Sequence, residues 1–583
     1  MIKIIRYLNK KQWMQILLSF VFIVTQVYLD LKIPDYMSKI TMYVESPGHT
    51  VSDIIGEGKW MLLCAFGSLI SAIIVGFLAS KVSASFSKDL RSRIFSKVES
   101  FSMKEINEFS TASLITRSTN DITQIQMVIV IGLQILVKAP IMAVWAITKI
   151  YNKGFEWTMA TAVTVVILIV FVAILMVLVM PKFRMMQTLT DNINRILREN
   201  LTGLAVIRAY NSEEYRENKF DEANEELTST QLFTSRAMST LFPMINFSMS
   251  MLTLVIYFIG AGLINAAEMM DKYVLFSNMV VFSSYAMQVI MSFMMMSMIF
   301  IMVPRAQISA KRINEVLDTE LSIKDGNIDT SNDDYEYEIE FDNVSFKYTD
   351  SEQYILQDID FKVKKGEKVA IIGSTGSGKS TILNLLLRFY DATEGVVKIQ
   401  GIDIKKYKLK FLYEKIAAVL QKSFLFKGDV TSNISFGDEG TDKNLVEEAA
   451  KTSQSMEFIE KFDDKFDHEI AQLGKDVSGG QKQRLSIARA IYRKPDIFLF
   501  DDSFSALDFK TDSELRHKLK ENNPDATAII VAQRVGSIMD SDQIIVLENG
   551  QIAGIGQHKD LLKNCEVYKE IAYSQLTEEE LNA

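Results

Sequence analysis

Cysteine is nearly absent from this 583-residue sequence: there are two, Cys64 and Cys565, far apart in different halves. Such a pair builds neither a disulfide framework nor a metal cluster. No block of Lys and Arg dominates and the net charge is −9. That leaves no basic surface to neutralise phosphates, so nucleic acid is set aside as a partner. Charge is missing from several long apolar runs in the first half, whereas the second half mixes charged and apolar residues. The contrast excludes a wholly soluble protein, a disordered chain and a small disulfide scaffold.

A hydrocarbon core about 30 Å thick takes roughly 20 apolar residues as a helix. Six stretches qualify, at about 13–29, 60–80, 122–150, 158–180, 241–266 and 274–303. Helices of soluble domains average about 11–12 residues, so these read as membrane spans. The first is read as a span and not a cleavable leader, because it is long, lacks a small-residue cleavage pattern and precedes five others. Lys3, Arg6, Lys10 and Lys11 precede the first span. Lys81, Lys88, Arg91, Arg93, Lys97 and Lys104 follow the second, and Lys182, Arg184, Arg195, Arg198, Arg208 and Arg216 follow the fourth. The opposite loops are short or acidic. Positive-inside then places both termini and the two long loops in the cytoplasm of a multi-pass protein of the plasma (inner) membrane.

Those loops, about 81–121 and 181–240, hold one proline, Pro181, and read as helix. A helix from Trp60 to about Glu105 spans on the order of 65–70 Å at 1.5 Å per residue. It overshoots the bilayer and must touch something in the cytoplasm. Lys138 falls within the third span, followed by Pro140. A charge at that depth faces a cavity, or pairs with a carboxylate or with carbonyls freed by the proline. The last span carries Met287, Met291, Met294, Met295, Met296, Met298 and Met302. Flexible thioethers suit a surface that accepts ligands of many shapes, and they equally suit helix packing. Lys138, Met287, Met291 and Met295 are the candidate substrate-cavity residues.

An Asp-, Asn- and Gly-rich stretch near 325–334 divides the chain into a membrane domain, 1–320, a linker, 321–337, and a second domain, 338–583. In the second domain Gly373, Ser374, Thr375, Gly376, Ser377, Gly378, Lys379, Ser380 and Thr381 follow the strand 368–372 and precede the helix 382–389. This is the phosphate-binding P-loop in its strand–loop–helix context. Glycines let backbone N–H groups curl around phosphate, and the helix N-terminus adds positive potential. Lys379 reaches the β- and γ-phosphates and Ser380 offers a hydroxyl to Mg²⁺. Ile497-Phe-Leu-Phe-Asp501 is an apolar strand ending in a carboxylate, so Asp501 holds the metal through water. ATP and Mg²⁺ are the expected ligands.

Ser478, Gly479, Gly480 and Gln481 open a further helix, 482–493, another phosphate-suited start. With this sequence the chain resembles, over its whole length, exporter-type half-transporters of the ABC family, most nearly the degenerate-site subunits of heterodimeric bacterial multidrug exporters. The resemblance implies an all-α six-helix transmembrane domain with long cytoplasmic extensions, followed by an α/β ATPase domain. It implies that Tyr348 stacks on adenine and that Gln421 contacts Mg²⁺ and the attacking water. Ser505-Ala-Leu-Asp508 corresponds to the D-loop, and the stretches near Leu114–Asp121 and Leu201–Tyr210 look like exporter intracellular loops whose short coupling helices rest on ATPase domains.

Two positions depart from the family. Asp502 stands where a glutamate base usually follows the Walker B aspartate, and Gln533, in Ile530-Val-Ala-Gln-Arg534, stands where the switch histidine is usual. Aspartate falls short of the water by on the order of 1 Å, a misplacement that can cost about 100-fold. Glutamine donates a hydrogen bond but carries no charge. Together they imply a site that binds ATP and hydrolyses it poorly. The intact signature Ser478–Gln481 would complete a site on a partner half-transporter that has the usual Glu and His. The expected function is one subunit of an ATP-driven heterodimeric exporter of hydrophobic or amphipathic compounds. The alternatives are a lipid or peptide exporter half, and an ATP-binding regulatory membrane protein.

Overall fold

The computed structural model describes residues 2–45, 48–151, 154–332, 334–348 and 351–582; the side chains at 2, 269, 270, 297–301, 304, 305, 509 and 582, Met298 among them, lie outside the described residues. Two compact units divide the chain: Met1–Glu99 with Ala112–Thr319, and Ser100–Thr111 with Glu320–Ala583.

The first unit is all helix. Six helices among the described residues are long and apolar enough to cross a membrane. They outrun the apolar stretches that mark them: Lys10–Glu45, Val51–Glu99 and Phe155–Thr202 have 36, 49 and 48 residues. At 1.5 Å per residue the second is about 74 Å long. Its polarity is inside out. Leu62, Phe66, Ile73 and Phe77 are exposed while Ser68, Ser71 and Ser83 are buried. An apolar exterior of this kind is stable against lipid and not against water.

The third span is not one continuous helix. Asn120–Ile131 is α-helical, Gly132–Leu136 is a π-turn, and Lys138–Tyr151 resumes the α-helix. Pro140 has no N–H to give to residue 136, and a wide turn absorbs the missing bond. The long loops are also broken. Short helices Met103–Phe109 and Leu204–Ala209 interrupt them. Ser102 caps the first in a capping box with Glu105.

The second unit carries a six-stranded sheet in the order Gln551–Gly556, Gln543–Glu548, Lys368–Gly373, Thr527–Val531, Ile497–Asp501, Ile416–Val419. Only the first pair is antiparallel. Central parallel strands are covered on both faces, which is why Ile497–Asp501 is buried at every residue. A separate antiparallel sheet orders Leu356–Val363, Ile339–Phe346, Glu394–Ile399 and Ile402–Asp403.

Two features differ from the domain plan read in the sequence. The stretch expected as a linker makes backbone bonds to the second unit: the N–H groups of Asn327 and Ile328 donate to the Lys406 carbonyl, and the Lys408 N–H donates to the Ile328 carbonyl. Asp333 of that stretch lies outside the described residues. The segment Ser100–Thr111, expected in the membrane half, groups with the second unit because Glu105 accepts from the Ser322 N–H at 3.0 Å and Asn107 donates to the Tyr390 hydroxyl at 3.0 Å. Burial pushes the Glu105 carboxyl upward, but hydrogen bonds from Ser102 and Ser322 outweigh it and hold it below the usual carboxylate range.

Candidate functional site

Four neighbouring parallel strands end at one edge of the sheet, and each delivers a candidate residue there. Lys368–Gly373 runs into the P-loop, Thr527–Val531 leads to Gln533, Ile497–Asp501 ends in Asp501 and Asp502, and Ile416–Val419 leads to Gln421. Register fixes their proximity, since Val531 pairs with both Ile371 and Asp501. Ligands of open α/β sheets bind beyond the carboxyl ends of such strands.

The P-loop glycines are needed sterically. A side chain at Gly373 would collide with the Leu547 carbonyl oxygen, and Gly378 has φ +97° with Leu356 behind it. Gly378 is the N-cap of helix Lys379–Leu386, so that helix starts three residues before the sequence-based boundary. Lys379 Nζ donates to the carbonyls of Gly373 and Ser374 at 2.8 and 2.7 Å, folding over the loop it would share with phosphate. Burial lowers its ammonium pKa, while the charges of Asp501 and Asp502 oppose that. Ser374, Thr375 and Gly376 are on the loop's accessible rim, and the Ser377 hydroxyl is buried without a hydrogen-bond partner among the described residues. Thr381 Oγ1 is 3.4 Å from the Tyr348 hydroxyl.

Ser380 donates to Asp501 Oδ1 at 3.0 Å. Burial pushes the Asp501 carboxyl up, the Asp502 charge adds to this, and Ser380 and Lys379 counter it. Among the described residues no three His, Cys, Asp or Glu gather as an all-protein metal site. A hydroxyl, a carboxylate and the exposed Gln421 amide instead fit a hard cation such as Mg²⁺ shared with nucleotide phosphates. Ser380 and Asp501 would hold it there, where it supplies charge neutralisation.

Asp502 and Gln533 meet: Gln533 Nε2 donates to Asp502 Oδ2 at 2.8 Å. Tyr348 presents its ring edge-on to Phe346 and Tyr390, with centroids 4.9 and 5.2 Å apart. Tyr390 had no sequence signal, because only folding brings it beside Tyr348. Ser478 caps helix Gly479–Tyr492, exchanging backbone and side-chain hydrogen bonds with Gln481, and this helix too starts earlier than the 482 boundary. Ser478 and Gly479 are exposed, and a side chain at Gly479 would meet nothing within 4 Å. Asp508 of the D-loop caps helix Phe509–Asn522.

In the first unit Lys138 makes an ion pair with Asp30 at 3.1 Å, and Ser68 hydrogen-bonds the same carboxylate. Of the two readings of Lys138, pairing with a carboxylate is the geometry found. Met287 and Met291 lie one turn apart and are exposed, with Met295 half-buried on the same face.

The ABC transporter family model matches residues 356–505, and that of the ABC transporter transmembrane region matches residues 13–320. An uncharacterized ABC transporter ATP-binding protein of Mycobacterium tuberculosis is 36% identical over 529 residues, covering 90% of this chain and 88% of the relative. The ATP-dependent lipid A-core flippase of Pseudomonas aeruginosa is 28% identical over 507 residues, 86% of this chain and 82% of that one. The solved structure of a bacterial Atm1-family ABC exporter with ATP bound shares the fold at a TM-score of 0.80 and 23% identity, covering 98% of this chain and 100% of that one. With a membrane unit and an ATPase unit each matched in this order, the chain belongs to the ABC transporter family as a multi-pass, ATP-hydrolysing exporter half-transporter.

Proposed function

We propose that this chain is the nucleotide-holding subunit of a heterodimeric exporter. The observation that carries the reading is the Gln533–Asp502 hydrogen bond at 2.8 Å. A carboxylate already engaged by an amide is a weaker base, and a neutral amide brings no positive charge to the γ-phosphate. The Walker residues Lys379, Ser380 and Asp501 are meanwhile arranged to grip ATP and Mg²⁺. The signature Ser478 to Gln481, exposed at Ser478 and Gly479, can close over nucleotide on a partner that has the usual Glu and His. Leu201, Leu204, Val206 and Tyr210, around the short helix Leu204–Ala209, form an exposed apolar turn suited to a partner's ATPase unit.

ATP binding draws the two ATPase units together and biases the membrane units between two packings, and hydrolysis at the partner-built site resets them. Both termini and the ATPase unit face the cytoplasm in this reading, which the Lys and Arg distribution supports. The cargo is hydrophobic or amphipathic, spanning several drugs; the methionines Met287, Met291 and Met295 are the proposed cavity contacts, with the ion-paired Lys138 reaching cargo only together with Asp30. The test is ATPase activity of this chain alone against the chain co-purified with a half-transporter bearing the usual Glu and His. Slow turnover alone and brisk turnover as a pair are expected; vigorous cooperative hydrolysis by the lone chain overturns the proposal.

A lipid cargo is the second reading, favoured by the likeness to a lipid A-core flippase. Proteoliposomes offered fluorescent dyes or labelled lipids separate the two.

A further inference from the structure

The switch loop that carries Gln533 has little behind it. A cavity of about 1040 Å³ lies against its back, lined by Phe504, Leu507, Leu519 and Ile530 and opening between the sheet and helix Phe509–Asn522. Packing therefore does not fix the loop's position on that side. Arg516 Nη1 donates to the Ser537 carbonyl at 2.6 Å, and nearer Gln533 the backbone is gripped by Gln575, which also borders the cavity. Gln575 Nε2 donates to the Gln533 carbonyl at 2.8 Å, and Gln575 Oε1 accepts from the Val535 N–H at 2.8 Å. These two bonds bracket the residue before and the residue after Arg534, so they set both the height and the tilt of the loop.

Gln575 is itself held on a rigid mount. The helix Glu566–Tyr573 just before it buries Tyr568 and Ala572 completely. The buried His558 ties that helix down: one ring nitrogen lies 2.7 Å from the Tyr568 hydroxyl and the other 3.1 Å from the Leu581 carbonyl. Leu581 O can only accept, so Nε2 donates to it, and Nδ1 shares a hydrogen bond with the Tyr568 hydroxyl.

We propose that Gln575 is a positioning residue of the ATP site: it fixes the switch backbone so that the Gln533 amide is presented to Asp502 and to the γ-phosphate, and it thereby sets how long this site holds nucleotide. The inference rests on the reading that this site grips ATP. It does not touch nucleotide; it acts through Gln533. Its exposed side chain can be replaced without opening the core.

The test uses the full-length chain in lipid nanodiscs and follows release of a fluorescent ATP analogue with Mg²⁺ after chase with unlabelled ATP. Gln575→Ala should speed release by about threefold to tenfold, the scale of losing one or two ordinary hydrogen bonds. The thermal midpoint should barely move. In a Gln533→Ala background the same change should have no further effect, because the positioned group is gone. Should Gln575→Ala fold poorly, Gln575→Met, equally long and without the amide, gives the same comparison. Unchanged release from both Gln575 variants, or equal acceleration with and without Gln533, overturns the positioning role while the site still holds ATP. Failure of the unmodified chain to retain the analogue at all removes both this inference and the nucleotide-holding reading.

Discussion

Asp502 has a left-handed backbone, φ 49°, a conformation that aspartate tolerates better than most side chains. Its carboxylate is thus aimed by the backbone and then pinned by Gln533. Lengthening the acid alone leaves the neutral amide in place. Asp502→Glu should raise single-turnover hydrolysis at this site by less than about tenfold, whereas Asp502→Glu with Gln533→His should exceed that, since a positioned base and a charge contribute separately. Rapid-quench measurements on the co-purified pair check this, and full turnover from Asp502→Glu alone contradicts it. Asp501 gives a second residue-scale prediction. Its pKa is raised in the fold, mainly by burial, so its ionised form costs stability once pH is above the folded-state value. That cost fades as pH falls toward the value of an ordinary aspartate and is absent below it. Asp501→Asn should therefore raise the melting temperature of the nucleotide-free protein at pH 7, with a gain that shrinks on acidification, and should abolish further stabilisation by Mg-ATP. Thermal scans across pH decide it. The motif residues themselves were legible in the sequence because their spacing is local. The Gln533–Asp502 contact was not, because it joins the ends of two strands that are remote in the chain.

At the scale of elements, the third span shows the limit of a hydropathy reading. Its apolar length was plain, yet the break at Gly132–Leu136 depends on how Pro140 and Lys138 are accommodated among neighbouring helices. Lys138 and Asp30 neutralise each other across two helices. Lys138→Met leaves the half-buried Asp30 carboxylate without its cation within the membrane unit and should lower that unit's stability. Asp30→Asn with Lys138→Met should recover most of that loss. Detergent-solution unfolding reads the stability, and cargo profiles of the double variant read the cavity role: a changed profile at restored stability marks the pair as a cargo contact. The helix starts at Gly378 and Ser478 illustrate the opposite case. Both caps are written locally, and the helices began earlier than expected only because the capping residues lie inside the motifs.

For the whole molecule, orientation is the property most open to a direct check. Cys64 and Cys565 are both buried, so replacing them with alanine gives a background for single cysteines. Val51→Cys, exposed between the first two spans, should react with a membrane-impermeant maleimide in intact cells. Asp463→Cys, exposed on the ATPase unit, should react only after the cells are opened. The reverse pattern inverts the topology and removes the cytoplasmic assignment of the ATPase unit.

The apolar spans, the strand–loop–helix setting of Gly373–Thr381, the carboxylate at the end of Ile497–Asp501 and the capped helix at Ser478 follow from residue order alone, because each depends on composition or on spacing within one or two turns of chain. The tertiary structure alone decided that Glu105 and Asn107 join the second unit, that Asp30 meets Lys138, and that Gln575 grips the loop of Gln533. Those contacts close long stretches of chain, and nothing local in the sequence records where such a closure ends.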